Sequence, residues 1–166
     1  MPEKKCDLAK ELKDWLADAK KVVIAGIGNP IRMDDFVGTK IAQDLTGKVS
    51  ENVRLIECDT VPESYLLDIE EFKPTHVLLI DAALLDLAPS EACLFSPEQV
   101  AGFSAVSSHV LPLRVFSEYV KQSTGAKIAL LLIQPKNVEF GEGLSLELQG
   151  AAERIAGLLL DLLSKI

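Results

Sequence analysis

The chain is built for a three-layer α/β sandwich, a mostly parallel five-stranded sheet with helices on both faces. Three observations carry that expectation. Short apolar runs recur along the sequence, stretches of helical period stand between them, and glycine or proline punctuates the joins. Leu8, Leu12, Trp15 and Leu16 fall at i, i+4, i+7 and i+8, the stripe of an amphipathic helix that caps the fold. Lys21 to Ile27 is β-branched and ends in glycines, as a strand buried on both faces does. From Asp34 to Leu45, Val37, Ile41, Ala42 and Leu45 share one helical face, and Gly47 closes it. Val53 to Cys58 is the second strand. Pro62 to Phe72 is a helix with proline in its first turn, stopped by Pro74. His76 to Ala82 is the third strand and Glu91 to Phe95 a short fourth. Val110 to Gln122 is a helix closed by Gly125, and Lys127 to Gln134 is the fifth strand. Ser145 caps a final helix, Leu146 to Ser164, with Leu148, Ala152, Ile155, Leu159 and Leu162 on its stripe.

No repeat, low-complexity tract or linker divides the chain, so residues 1–166 read as one domain. With 48% hydrophobic and 25% charged residues the composition is globular. A chain of this size buries about 70% of its unfolded surface, enough for one sizeable core. The formal charge of −8 argues against a nucleic-acid partner, because no basic excess exists to displace counterions from phosphates. The charged start MPEKKCDLAKELKDWL has no apolar signal region. The runs VVIAGIG, HVLLI and KIALLLI fall far short of the ~20 residues that cross a bilayer, so no membrane insertion is expected. Cys6, Cys58 and Cys93 are odd in number and form no C-x-x-C pair. That speaks against a disulfide framework and a zinc ribbon and fits a reducing cytoplasm, with Cys58 and Cys93 as small buried hydrophobes.

In such sheets ligands bind beyond the carboxyl ends of the strands, so polar residues at those ends are the candidates for chemistry. The first strand ends in Gly26-Ile27-Gly28-Asn29-Pro30, and Asp34 and Asp35 follow at a helix start. The third ends in Leu78-Leu79-Ile80-Asp81, and Ser107-Ser108-His109 leads into the helix at Val110. Taken singly, each has a plain structural reading. An acidic pair can serve a helix dipole, a strand-end Asp can form a turn, and a lone histidine is more often packed than a ligand. Asp81, however, ends a run of four apolar residues, where an unsatisfied charge is expensive. Convergence of Asp35, Asp81 and His109 would make an N/O ligand set suited to a divalent transition metal. Only one of the adjacent acids can face the crevice, since neighbours on a helix point ~100° apart. His76 begins the strand that Asp81 ends, ~16 Å away on the opposite rim, and reads as structural. Asp59, Thr60 and Glu63 read as turn and first-turn residues. G-x-G-x-x-G fails at Ile31, and no P-loop, H-E-x-x-H or G-x-S-x-G occurs.

GIGNPIRMDDFVG, VLLIDA, SSHVLPL and IALLLIQPKNVEFGEGLS together, in this order, resemble the hydrogenase maturation endopeptidases. They are most similar to the proteases that process the nickel-iron hydrogenase large subunit of the formate-hydrogenlyase type. The resemblance runs from about Lys21 to the final helix and implies a phosphorylase/hydrolase-like sandwich. It implies that Asp35, Asp81 and His109 bind nickel, or a surrogate such as cadmium or another divalent ion. It further implies that the enzyme removes a short C-terminal extension from the large-subunit precursor after nickel insertion, with Asp35 and Asp81 as catalytic acids of an aspartic-type route. The nickel is either resident or supplied by that substrate. Two departures stand out. Phe36 replaces the family's usual glycine after the acidic pair, and either narrows the crevice or turns into the core. Cys58-Asp59-Thr60 lacks the glycine many relatives carry before the Thr. Two other readings stay open. One is a peptidyl-tRNA-hydrolase-like hydrolase, suggested by G-x-G-N-P but lacking the Thr-Arg-His-Asn segment and poorly matched in charge. The other is a nickel-dependent chaperone that holds the precursor without cutting it.

Overall fold

The computed structural model describes residues 6–101 and 110–166. The elements are α1 (Leu8–Trp15), β1 (Val22–Ile27), a 3-10 turn (Met33–Phe36) running into α2 (Val37–Leu45), and β2 (Val53–Asp59). A second 3-10 turn (Pro62–Tyr65) runs into α3 (Leu66–Phe72), followed by β3 (His76–Ala82), β4 (Ala92–Phe95) and α4 (Pro97–Ala101). The chain closes with α5 (Val110–Thr124), β5 (Lys127–Ile133) and α6 (Leu146–Leu163). Two expected helix starts are thus 3-10 turns. At Asp34 and Asp35 the chain is held in the tighter coil by bonds to distant loops. The short helix α4 was not expected. Its signal is Ser96-Pro97-Glu98-Gln99, a capping box in which Ser96 Oγ accepts from the Gln99 N–H and Gln99 Oε1 accepts from the Ser96 N–H.

The sheet runs in the order β2-β1-β3-β5-β4, parallel except for β4, which pairs antiparallel with β5. Its two faces carry separate cores because side chains alternate along each strand. Val23, Ala25, Val77 and Leu79 point to a layer formed by α3, α4 and α5, with Ile69, Phe72, Val100, Leu113 and Phe116. Val22, Ile24, Leu78 and Ile80 point to α1, α2 and α6, with Leu12, Ile41, Leu45, Leu148 and Leu159. β1 and β3 are buried along their whole length, whereas β2 is an edge strand exposing Arg54, Glu57 and Asp59. Ser145 caps α6 as expected, accepting from the Leu148 N–H.

The cysteine expectation is corrected in one respect. Cys6 and Cys93 form a disulfide across 87 residues of sequence, tying the segment before α1 to β4. Cys93 sits in a strand as read, but its sulfur is bonded rather than merely buried. Spacing gave no hint, because the pair meets only when α1 lies against β4. Cys58 is the small buried hydrophobe expected, and burial pushes its thiol up to about 12. His76 lies on the rim opposite Asp81, as expected, with Nδ1 2.9 Å from Thr75 Oγ1 and Nε2 3.3 Å from Asp18. Trp15 packs edge-on against its ring. No described helix is long and apolar enough to cross a membrane.

Candidate active site

The strand order reverses between β1 and β3, because β1 connects outward to β2 on one side while the chain later returns on the other. Such a switch point opens a crevice beyond the strand ends. Glycines set the level at which α2 sits there. A Cβ on Gly38 would stand 2.1 Å from the Ile80 carbonyl oxygen and 2.4 Å from that of Ile27. One on Gly28 would stand 2.2 Å from the carbonyl oxygen of Asp35. Backbone therefore packs on backbone, and the 3-10 turn before α2 comes down over the ends of β1 and β3.

This places two of the three expected residues. Asp35 is buried, and its Oδ2 accepts from the Asn29 N–H at 3.2 Å. Asp81 is completely buried at the tip of β3, its Oδ1 accepting from the Ala82 N–H at 2.8 Å. Burial drives the Asp81 pKa well above the ordinary carboxylate range, and the Asp35 charge raises it further, against a smaller pull from the Ala82 N–H. The third expected residue, His109, lies outside the described residues, and among those described no group of three or more metal-ligating side chains gathers. Asp59 is exposed as the last residue of β2, and Glu63 is exposed in the first turn of the 3-10 turn that follows.

Asp34 points elsewhere and does a different job. Its carboxylate accepts from the backbone N–H groups of Lys136, Asn137 and Ser145 and from the Ser145 hydroxyl, at 2.7–2.9 Å. It thus pins the β5–α6 loop to the loop after β1, where Gly141 also ladders with Ile31 and Met33. Gln134 does the equivalent for the loop beyond Asp81, accepting from the Leu85 N–H at 2.7 Å. Sequence reasoning assigned no role to Gln134 or to this face of Ser145. Phe36 neither narrows the crevice nor joins the core. It is half-buried and lines a groove of about 950 Å³ between α2 and α6, which contains neither Asp35 nor Asp81.

Asp35 and Asp81 thus lie buried at the carboxyl-end rim, beside the switch point where sheets of this class bind their ligands. The profile of the hydrogenase maturation proteases, HycI, matches residues 37–162. A Methanocaldococcus jannaschii protein assigned as a hydrogenase maturation protease is 33% identical over 163 residues, covering 93% of this chain and 95% of that one. The Hydrogenase 3 maturation protease of Escherichia coli is 27% identical, covering 80% of this chain and 85% of its own. Among solved structures, the nickel-iron hydrogenase maturation protease HycI from Thermococcus kodakarensis superposes with a TM-score of 0.86 at 35% identity. The match covers 93% of this chain and 99% of that one. The chain belongs to the hydrogenase maturation protease family and is a peptidase, which sets aside the peptidyl-tRNA-hydrolase reading.

Proposed function

We propose that this protein removes the C-terminal extension of a nickel-iron hydrogenase large-subunit precursor once nickel has been inserted. The observation that carries this reading is the burial of Asp35 and Asp81 at one rim beside the switch point, in a chain of this family. Asp35 and Asp81 are the catalytic acids of an aspartic-type cleavage, and either is a candidate base for the water that attacks the scissile carbonyl. Asp35, Asp81 and His109 would be the residues that hold the nickel the precursor brings, and a divalent ion held there would supply Lewis-acid polarisation of the scissile carbonyl. The chemistry of the donor set favours this, since carboxylates with one imidazole suit nickel and leave coordination positions for the precursor's own ligands.

The test incubates the protein with nickel-loaded and nickel-free precursor and weighs the products. Loss of a C-terminal peptide from the loaded form only, abolished by Asp35→Asn, is the expected result. His109→Ala should weaken binding of the loaded precursor much more than the nickel-free one. An intact complex with loaded precursor would favour the chaperone reading. Equal cleavage of both forms would remove nickel from the account.

A further inference from the structure

The surface opens beside the disulfide. A cavity of about 530 Å³ lies at the β4 edge of the sheet, where the segment before α1, the segment leading into β4 and one flank of α6 come together. Cys6 and Cys93 both line it. The two residues are unequally covered, for Cys93 is 3% exposed and Cys6 is half-buried. Apolar groups make up the rest of the lining apart from Ser90, Glu91 and Arg154, so Arg154 is the one cation among the described residues of this wall. Cys58 stands apart: it is fully buried, it does not line the cavity, and burial keeps its thiol protonated, with the charges of Asp59 and Glu63 adding to the effect.

A disulfide in a folded protein opens by one of two routes. Where both sulfurs are sealed in, reduction waits for the fold to open. Where a thiolate can reach one of them, exchange proceeds in the native state. The cavity puts this bond in the second group. We propose that Cys6–Cys93 is a thiol-exchange site, opened and remade by a small dithiol that enters the cavity from solvent. The attacking thiolate bonds to Sγ of Cys6, the less covered residue, and the Cys6–Cys93 bond breaks with its electron pair on Sγ of Cys93. That thiolate forms in the cavity that the Arg154 guanidinium lines, and a neighbouring cation favours negative sulfur. The second thiol of the reagent then attacks the reagent sulfur of the mixed disulfide and expels the Cys6 thiolate. The protein gains two electrons and, through solvent, the two protons of the dithiol, which is oxidised to its own disulfide. This site goes beyond the proteolytic reading and does not rest on it. Opening the bond frees the segment before α1 from β4. Gln134 still holds the stretch between Asp81 and β4, its Oε1 accepting from the Leu85 N–H and its main-chain N–H donating to the Glu91 carbonyl at 2.8 Å. Redox conditions therefore set how firmly the β4 edge is stapled and leave the stretch beyond Asp81 anchored.

The test uses the oxidised full chain, with its own buried thiol as a clock. Without reductant Cys58 is the free thiol, so its alkylation by saturating iodoacetamide at 25 °C measures how often the fold opens. In parallel, dithiothreitol is added, samples are quenched in acid, and mass spectrometry follows reduction of Cys6–Cys93. Reduction should be at least about tenfold faster than Cys58 alkylation and proportional to reductant concentration. Arg154→Gln should slow reduction several-fold with the Cys58 rate unchanged. With glutathione in place of dithiothreitol, the trapped mixed disulfide should map to Cys6. Reduction that only keeps pace with Cys58 alkylation, an unchanged rate in Arg154→Gln, or an adduct on Cys93 overturns the exchange site, and none of these outcomes touches the proteolytic function.

Discussion

Replacing Asp34 by asparagine isolates what distinguishes it from its neighbour. The buried carboxylate accepts four hydrogen bonds, two backbone N–H groups and the Ser145 hydroxyl on Oδ2 and the Ser145 N–H on Oδ1. An asparagine can keep its one oxygen toward the three-donor side, which turns its NH2 group toward the Ser145 N–H. One charge-assisted bond is then lost, worth about 1.5–3 kcal/mol, and a buried donor is left unmatched. The three that remain become neutral bonds of about half the strength. The combined cost is about 3–5 kcal/mol, and at roughly 2–4 °C per kcal/mol for a chain of this size the melting point should fall by about 6–20 °C. Asp35→Asn removes a carboxylate that holds no distant loop through the bond it accepts from the Asn29 N–H, and it should fold and yet process nothing. Calorimetry of both variants, paired with precursor processing at 25 °C where both are folded, makes the comparison. An Asp34→Asn protein that melts like wild type, or one that is folded yet as inactive as Asp35→Asn, would refute the division of labour.

Asp81→Asn should raise the melting point of the isolated protein while abolishing processing. The native pKa lies above the ordinary 3.8, so the contribution of Asp81 to stability is fully present below that value and is lost as pH rises; the gain should therefore be absent at low pH and grow above it. Gly38→Ala should cost several kcal/mol, roughly 3 or more, because its Cβ would meet the Ile80 carbonyl oxygen at 2.1 Å, whereas Gly47→Ala, in open space at φ +77°, should cost only about 1; urea titrations read both. Reduction, or Cys6→Ser, releases a closed loop of 87 residues and should lower stability by up to about 4–5 kcal/mol, seen as a reductant-dependent melting point. His76, whose pKa burial lowers from 6.5 despite the Asp18 charge and with Lys127 adding to the shift, contributes full stability above that pH and loses it as pH falls; His76→Gln should flatten this slope in melts between pH 7 and 5.

Strands, most helices and the positions of Asp35 and Asp81 were legible because each depends on local pattern. An apolar run names a strand, and the last residue of that run names its tip. That the turn after β1 and the tip of β3 share one rim follows from the strand order, which a parallel α/β sheet restricts strongly. The role of Asp34 was not legible, since its four donors lie 102 to 111 residues downstream and a helix dipole offered a sufficient local reason for an acid there. The same distance hid Cys6 from Cys93, whose neighbours in sequence describe an ordinary buried strand. Gln134 reads as the end of a strand, and only the return of the Leu85 N–H to its side chain gives it a purpose. Phe36 was ambiguous because a groove between two helices is neither crevice nor core, and only the docking of α2 on α6 creates it.

The bonds from Asp34 to residues 136–145 also set an order of events during synthesis. The first hundred residues contain both acids, but β5 must slot between β3 and β4, and the stretch after it must reach back to the loop beyond β1, before that loop is held. Contacts this distant in sequence form late and slowly. A chain that has emerged only as far as β4 has both carboxylates but lacks the residues 136–145 that hold the turn carrying one of them. A chain truncated between Asp81 and Ser145 should therefore keep both acids and fail to cut.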